Sequence, residues 1–411
     1  MRRLIRAFPI TLILAALASL VFSRGAHTVP LYAARTGNLC VTCHFDPNGG
    51  GPRNDYGFAF ARNRHSVDAE SDTTKPWSNL QITNRIGESM PIYLGLNQRF
   101  MLIANDTKAV KGLDRLAFFN MENSIHITFV PHSRLTLVYS RDAFSSGPNI
   151  SRVQQVDAFG MFTGLPWNSY IKAGRFRVPF GLRLDDHTVA TRNSFLDFSG
   201  GGSFLPYDPR FPDMGVEIGA EHNGWFGRAA YTNGDADFQS GDIAETGTIK
   251  IGHNLSWYQG AISFYDQYHK NSLSPGIPLA SPKRNLRWGY SGMTHFGPLA
   301  ALGEIAAGTD EVEPIPDTGP GPKTNLLAGF AELNYAPCRS VNFRVRYDRL
   351  ELDRSNVTLT RDLNTHQRYS LEGEIVPVPF AEVRWAVRRI DHKAAIIPDE
   401  TQGFLQLHLS Y

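Results

Sequence analysis

Cys40-Val41-Thr42-Cys43-His44 is the stretch of this 411-residue chain whose residue types and spacing most clearly carry chemistry. Two thiols three positions apart, with an imidazole directly after the second, form the attachment pattern of a c-type haem. The thiols of Cys40 and Cys43 would become thioethers to the haem vinyl groups, and His44 would take the proximal position on iron. Two other chemistries use paired cysteines. A redox CxxC of thioredoxin type wants a βαβ frame, which the flanking sequence lacks. A structural zinc needs further paired ligands, and the single remaining cysteine, Cys338, does not supply them. A distal iron ligand would come from outside the motif. His65 is the first candidate, with Met90 and His27 as rivals and His126 and His408 as more remote alternatives. Methionine in that position raises a haem potential relative to a second histidine.

The elements around the motif suggest where it works. Arg2, Arg3 and Arg6 precede an apolar run from Pro9 to Phe22 that is too short to span a bilayer. This is the layout of an export signal over residues 1–26, with cleavage after Ser23 or Ala26. Export suits a haem that is attached outside the cytoplasm. No later segment is apolar enough for a membrane helix, yet 42% of residues are hydrophobic and 11% aromatic, with 37 glycines. Barrel strands need only every second residue apolar, so this composition suits a membrane barrel. The formal net charge of +2 leaves no footprint for nucleic acid.

From Met90 onward the pattern resolves into sixteen candidate strands, near 91–106, 115–129, 134–144, 152–164, 168–179, 213–222, 224–233, 244–256, 258–268, 284–296, 299–310, 324–336, 341–352, 366–376, 380–391 and 401–411. Tight connections alternate with long ones. Pro131–Arg134, Pro166–Asn168, His222–Gly224, Gly297-Pro298, Pro337–Ser340 and Pro377–Pro379 are tight; 180–212, 234–243, 269–283, 311–323, 353–365 and 392–400 are long. Short periplasmic turns and long outer loops are the plan of an outer-membrane barrel. Val341, Phe343, Val345 and Tyr347 would face lipid, with Asn342, Arg344, Arg346 and Asp348 facing the lumen. The last strand ends Leu405, Leu407, Leu409 and Tyr411 on one face, an aromatic-terminated pattern similar to outer-membrane proteins. Cys338 falls in a tight turn and reads as a lone turn cysteine. The acidic stretch Asp310, Glu311, Glu313 and Asp317 reads as a solvated loop.

Residues 27–86 are too few and too polar for a comfortable independent core. Pro47–Pro52 is turn-rich, Asp55–Arg64 is the one helix-like stretch, and Ala69–Pro76 reads as linker. Such a segment needs support, from the haem and from a barrel lumen that it would plug. The expected organisation is a signal peptide (1–26), a haem-binding segment with linker (27–86), and an antiparallel β-barrel of about sixteen strands (87–411).

Two resemblances attach to particular residues. Gly174-Arg175-Phe176-Arg177-Val178-Pro179-Phe180-Gly181 is similar to the G-x-F-x-x-P-F-G segment of phosphate-selective-type porins. Arg35-Thr36-Gly37, the Cys40–His44 motif and Tyr56-Gly57-Phe58-Ala59-Phe60, set before a barrel, resemble the fused monohaem cytochrome–porins of iron-oxidising bacteria. Three features depart from that pattern: Arg35 lies one position nearer its glycine, a glycine run stands where the family has P-x-L-N, and Tyr56 replaces a phenylalanine. The resemblance implies one covalent haem c on Cys40, Cys43 and His44 in the outer membrane. It also implies an electron-transfer role between an extracellular donor, Fe(II) or another redox-active metal, and a periplasmic redox protein. Inward transfer with Fe(II) oxidation is the direction it favours. The rival readings are a solute or anion diffusion porin with a haem-bearing gate or sensor, and outward transfer to extracellular metal.

Overall fold

The computed structural model describes residues 33–34, 39–66, 82–107, 115–142, 156–182, 189–191, 212–234, 244–269, 282–312, 323–354, 365–393 and 399–411. The expected signal peptide, His27, the Arg35–Gly37 stretch and the linker at 69–76 lie outside these residues. The short helix α1 (Asp55–Arg62) precedes the strands, and β1 (Arg85–Ile86) is a two-residue strand paired to β2. The wall then runs β2 (Ile92–Thr107), β3 (Arg115–His132), β4 (Leu135–Asp142), β5 (Val156–Leu165), β6 (Ser169–Phe176), β7 (Asp213–His222), β8 (Trp225–Thr232) and β9 (Ala244–Asn254). It continues with β10 (Tyr258–His269), β11 (Pro282–Phe296), β12 (Leu299–Val312), β13 (Lys323–Cys338), β14 (Val341–Glu351), β15 (Thr365–Val378), β16 (Ala381–His392) and β17 (Glu400–Ser410). Each strand pairs antiparallel with its neighbours and β17 pairs with β2, so β2–β17 close into a sixteen-stranded barrel. All sixteen strands expected from the sequence are present.

The period-2 pattern explains the wall. Leu333, Val345, Leu371 and Val387 lie in one cross-strand row and point outward; Val345 is 50% exposed and Leu371 49%. Their inward neighbours Glu332, Arg346, Ser370 and Arg388 are buried. An outer face this apolar is a lipid-facing surface, because a water-exposed one of this extent would drive aggregation. Residues 341–348 face as the alternation predicts.

The tight turns show why register is fixed. At Asn223-Gly224 both residues adopt positive φ (51° and 81°), the two-residue hairpin geometry that matches strand twist. Pro131, Pro337 and Pro377 fall at register shifts, between Phe129 and His132, Tyr335 and Cys338, and Ile375 and Val378. A proline cannot donate to the ladder, so a bulge accommodates it. These strands therefore run past their prolines, and the turns shrink to 133–134, 339–340 and 379–380. The strand expected at 168–179 ends early: β6 stops at Phe176, and the chain from Arg177 turns into the lumen.

Both ends of the barrel meet at the tight-turn end. Leu96 and Tyr411 exchange two backbone hydrogen bonds, of 3.0 and 2.8 Å.

Candidate functional site

Cys40, Cys43 and His44 stand on one tight turn. The amides of Cys43 and His44 both donate to the Cys40 carbonyl, at 3.1 and 3.0 Å, and that of Thr42 donates to Leu39 at 3.0 Å. Offsets of three and four residues place all three side chains on one side of such a turn. The chain after His44 loops back: Phe45 N donates to Pro52 O at 3.3 Å and Asn54 N to Cys43 O at 3.1 Å. Gly49, Gly50 and Gly51 all take positive φ there (87°, 77° and 64°). A Cβ on Gly49 would sit 3.2 Å from the Cys40 Sγ, so the glycine loop leaves room beside that sulfur.

Helix α1 is fastened directly to this turn. Asn54 caps it, accepting from Gly57 N at 3.0 Å, while its Nδ2 donates to the Val41 and Thr42 carbonyls, both at 3.1 Å. A Cβ on Gly57 would come within 2.1 Å of the Cys43 carbonyl oxygen, so only glycine permits this contact. Phe58 packs on the wall, against Phe380 and Tyr411, at centroid distances of 5.1 and 5.4 Å. Of the three aromatics of α1, Phe58 is thus committed to the wall, Phe60 stacks on His65, and Tyr56 is 46% exposed. A helix this short binds the wall with its apolar face because its own segment has no other core.

The segment is seated in the lumen by charged and amide side chains. Lys172 on β6, fully buried, reaches Asp46 at 3.1 Å and Glu217 of β7 at 3.0 Å. Asn48 donates to Glu217 Oε2 at 2.8 Å and accepts from Arg228 Nη1 of β8 at 3.0 Å. Tyr170 donates to Glu217 Oε1 at 2.7 Å. Lys172, Arg228 and Glu217 lie three to five residues in from the tight-turn ends of their strands, about 10–17 Å of strand path. Toward the rim, Arg53 donates to Ser410 O at 3.1 Å, Arg339 to Asn63 O at 2.8 Å, and Ser340 Oγ to Arg64 O at 2.9 Å.

His65 is buried and stands with Glu374 and Glu382, their ligand atoms all within 4.8 Å of one another. The donor set is of a metal-binding type. Guanidinium groups already engage it, however: Arg344 Nη2 lies 2.7 Å from Glu374 and Arg384 Nε 3.5 Å from Glu382. The carboxylates are therefore held by arginines of the wall, and His65 lies buried against them. Burial pushes the His65 imidazole down to about 3, outweighing the opposing pull of Glu382. His408 sits 3.7 Å from the same Glu382. His126 bonds Ser140 Oγ at 2.8 Å and Asn97 Nδ2 at 3.0 Å. Met90 is 58% exposed on the chain entering β2.

A haem c would be held by Cys40, Cys43 and His44, and the residues fit that group. The thiols share one side of a turn and are not joined in a disulfide. Burial pushes the Cys43 thiol up to about 11, so the free side chain stays protonated. When bound, the haem would supply one-electron redox chemistry at iron. The chain's part is to hold it, through the Asn54 bridge, the Gly57 contact and the Lys172 seat.

The sequence did not reveal a second inward element. Gly181 N donates to Ser263 Oγ at 3.0 Å, Leu182 N to Glu304 at 2.7 Å, and Ala190 N to Asp348 at 3.2 Å. The chain after β6 thus crosses from β6 toward β14 inside the barrel. The apolar Val178-Pro179-Phe180 run, unusual for an outer loop, was the signal for it. Cys338 closes β13 and is exposed.

No family model matches the chain, and no curated protein matches it. Solved structures do. An anion-selective porin from Comamonas acidovorans superposes with TM-score 0.58 at 9% identity, over 78% of this chain and 100% of the other. The outer-membrane channel DcaP of Acinetobacter baumannii gives 0.56 at 12% identity, over 79% and 98%. Salmonella typhi OmpF, in a complex with daunomycin, gives 0.55 at 10%, over 80% and 100%. The barrel has the fold of outer-membrane porins. The shared portion accounts for the wall and not for the whole chain.

Proposed function

We propose that this protein is an outer-membrane electron conduit, in which a porin-like barrel encloses one c-type haem attached to Cys40 and Cys43 and ligated by His44. The observation that carries the reading is the seating of the loop next to the motif: Asp46 and Asn48 bind Lys172, Glu217 and Arg228 on the inner wall. A haem on a segment hanging below the barrel would face most of a membrane core of roughly 30 Å before reaching the outer side. A haem lodged within the lumen shortens that gap. Electrons would pass between an extracellular metal donor, Fe(II) by resemblance, and a periplasmic redox protein, with the barrel excluding lipid and setting the dielectric.

The porin likeness by itself favours a second reading, diffusion of small solutes or anions with the inner segment as a gate. Against an open lumen stand the inward charges: Lys172, Glu217, Asp348, Arg368 and Glu372 are buried in protein. Planar-bilayer recordings separate the two, since a conduit with a seated segment conducts few ions. Outward transfer to metal differs only in reduction potential. The electron-transfer reading is tested by mixing the purified oxidised protein with Fe(II) in a stopped-flow absorbance experiment. Rapid haem reduction is expected. No reduction, where a small-molecule reductant succeeds, would refute iron oxidation.

A further inference from the structure

The long-loop end of the wall carries a separate set of metal-ligating groups. His366, near the start of β15, and His392, the last residue of β16, are directly paired across the ladder, and both are buried on the inner face. Their Nδ1 atoms are 2.8 Å apart, with ring centroids at 5.0 Å and planes at 79°. On the far side of the His392 ring, Nε2 is buried without a hydrogen-bond partner and points toward Glu400 Oε1, 3.8 Å away at the start of β17. The second Glu400 oxygen accepts from Asn105 at 3.5 Å.

Two imidazole nitrogens facing each other need something between them. A single shared proton serves in the absence of metal. A cation serves as well: at metal–nitrogen distances of about 2.0–2.1 Å, nitrogens this close subtend roughly 85–90° at the ion. Glu400 then stands where a carboxylate orients a ligating histidine from behind, fixing the proton on Nε2 and the lone pair on Nδ1. The charge is favourable too. Unlike the arginine-engaged cluster at His65, this site sets one carboxylate against two imidazoles, and the inward-facing Arg368 two residues away is bound to Asp348 at 2.9 Å.

We propose that His366 and His392, oriented by Glu400, bind a divalent transition-metal cation of the imidazole-preferring class (zinc, copper, nickel or ferrous iron) at the outer mouth of the barrel. Two protein ligands leave the other positions to water, so the ion exchanges rather than serving as a structural bolt. The site does not depend on the haem reading. If that reading holds, this is where a ferrous ion is held on entering.

The test is calorimetric titration of the purified full-length protein with Zn(II), which is redox-inert. The wild type is expected to show a site whose affinity falls at least about tenfold in His366→Gln and in His392→Gln, and about tenfold in Glu400→Gln. His222→Gln, at an exposed turn on the opposite end, is expected to leave it unchanged. Heat-modifiable gel migration confirms that each variant retains its barrel, and a Cys40→Ser/Cys43→Ser variant binds zinc as the wild type does. Absence of zinc binding by the wild type, or an affinity in both histidine variants equal to that of the wild type, would overturn the proposal and leave the pair a buried hydrogen bond only.

Discussion

The two sides of the barrel use their inward charges differently. On β13–β16, arginines and carboxylates satisfy one another within the wall: Arg344 with Glu374, Arg346 and Arg368 with Asp348, and Arg388 with Glu372, at 2.7–3.1 Å. On β6–β8, Lys172, Glu217 and Arg228 reach inward to Asp46 and Asn48. One side is self-neutralising, and the other is completed by the inner segment. The difference teaches that the segment is seated through a specific polar socket, with a lesser contact where His65 meets the opposite wall.

The sharpest way to break this comparison is to remove one buried cation from each side. Lys172→Met leaves two buried carboxylates short of their shared partner, at a cost of about 3–5 kcal/mol. It is expected to raise amide exchange across residues 40–62 while the barrel persists. Arg346→Met, equally buried, is expected to weaken the wall and leave that exchange unchanged. Equal effects on the segment would erase the distinction.

Gly57→Ala probes the socket from inside. Alanine is the better helix former by about 1 kcal/mol, yet its Cβ meets the Cys43 carbonyl. A net loss of about 1–3 kcal/mol is expected from the overpacking, read as lower thermal stability and faster amide exchange across residues 40–62.

The His65 side adds a pH dependence. Its imidazole is held neutral with a folded value of about 3 against an ordinary 6.5. The unfolded or undocked chain therefore binds the proton first. The docked state has its full stability above about pH 6.5 and loses about 1.4 kcal/mol per pH unit as pH falls from there toward about 3. Protection factors of residues 60–66, corrected for the intrinsic exchange rate at each pH, are expected to fall accordingly from pH 7.5 to 5, and His65→Phe should flatten the slope. A flat wild-type profile would remove this contact from the account. The smallest effect belongs to Asn48→Ala. Glu217 keeps Lys172 and Tyr170, so a loss of about 1 kcal/mol is expected in thermal unfolding.

Sixteen strands and the side that each faces were legible because alternation has a period of two and the turn residues are local signals. Leu333 and Glu332 need no tertiary information to be sorted. The lengths near Pro131 and Pro377 were misjudged because a bulge depends on the partner strand as well as on the proline. At the candidate site, the motif residues and the need for a supporting lumen could be read directly. The identity of the support could not, because Asp46 and Lys172 are 126 positions apart and nothing local joins them. The inward course of the chain after β6 was hidden for the same reason.

The most direct measurement of the central claim is covalent haem content. The protein is purified from an outer membrane, denatured, and assayed by the pyridine haemochrome spectrum and by haem staining on a denaturing gel. The account predicts a haem that stays with the denatured chain and is lost in Cys40→Ser/Cys43→Ser. A wild-type chain without haem, expressed in a host able to attach c-type haem, would contradict it.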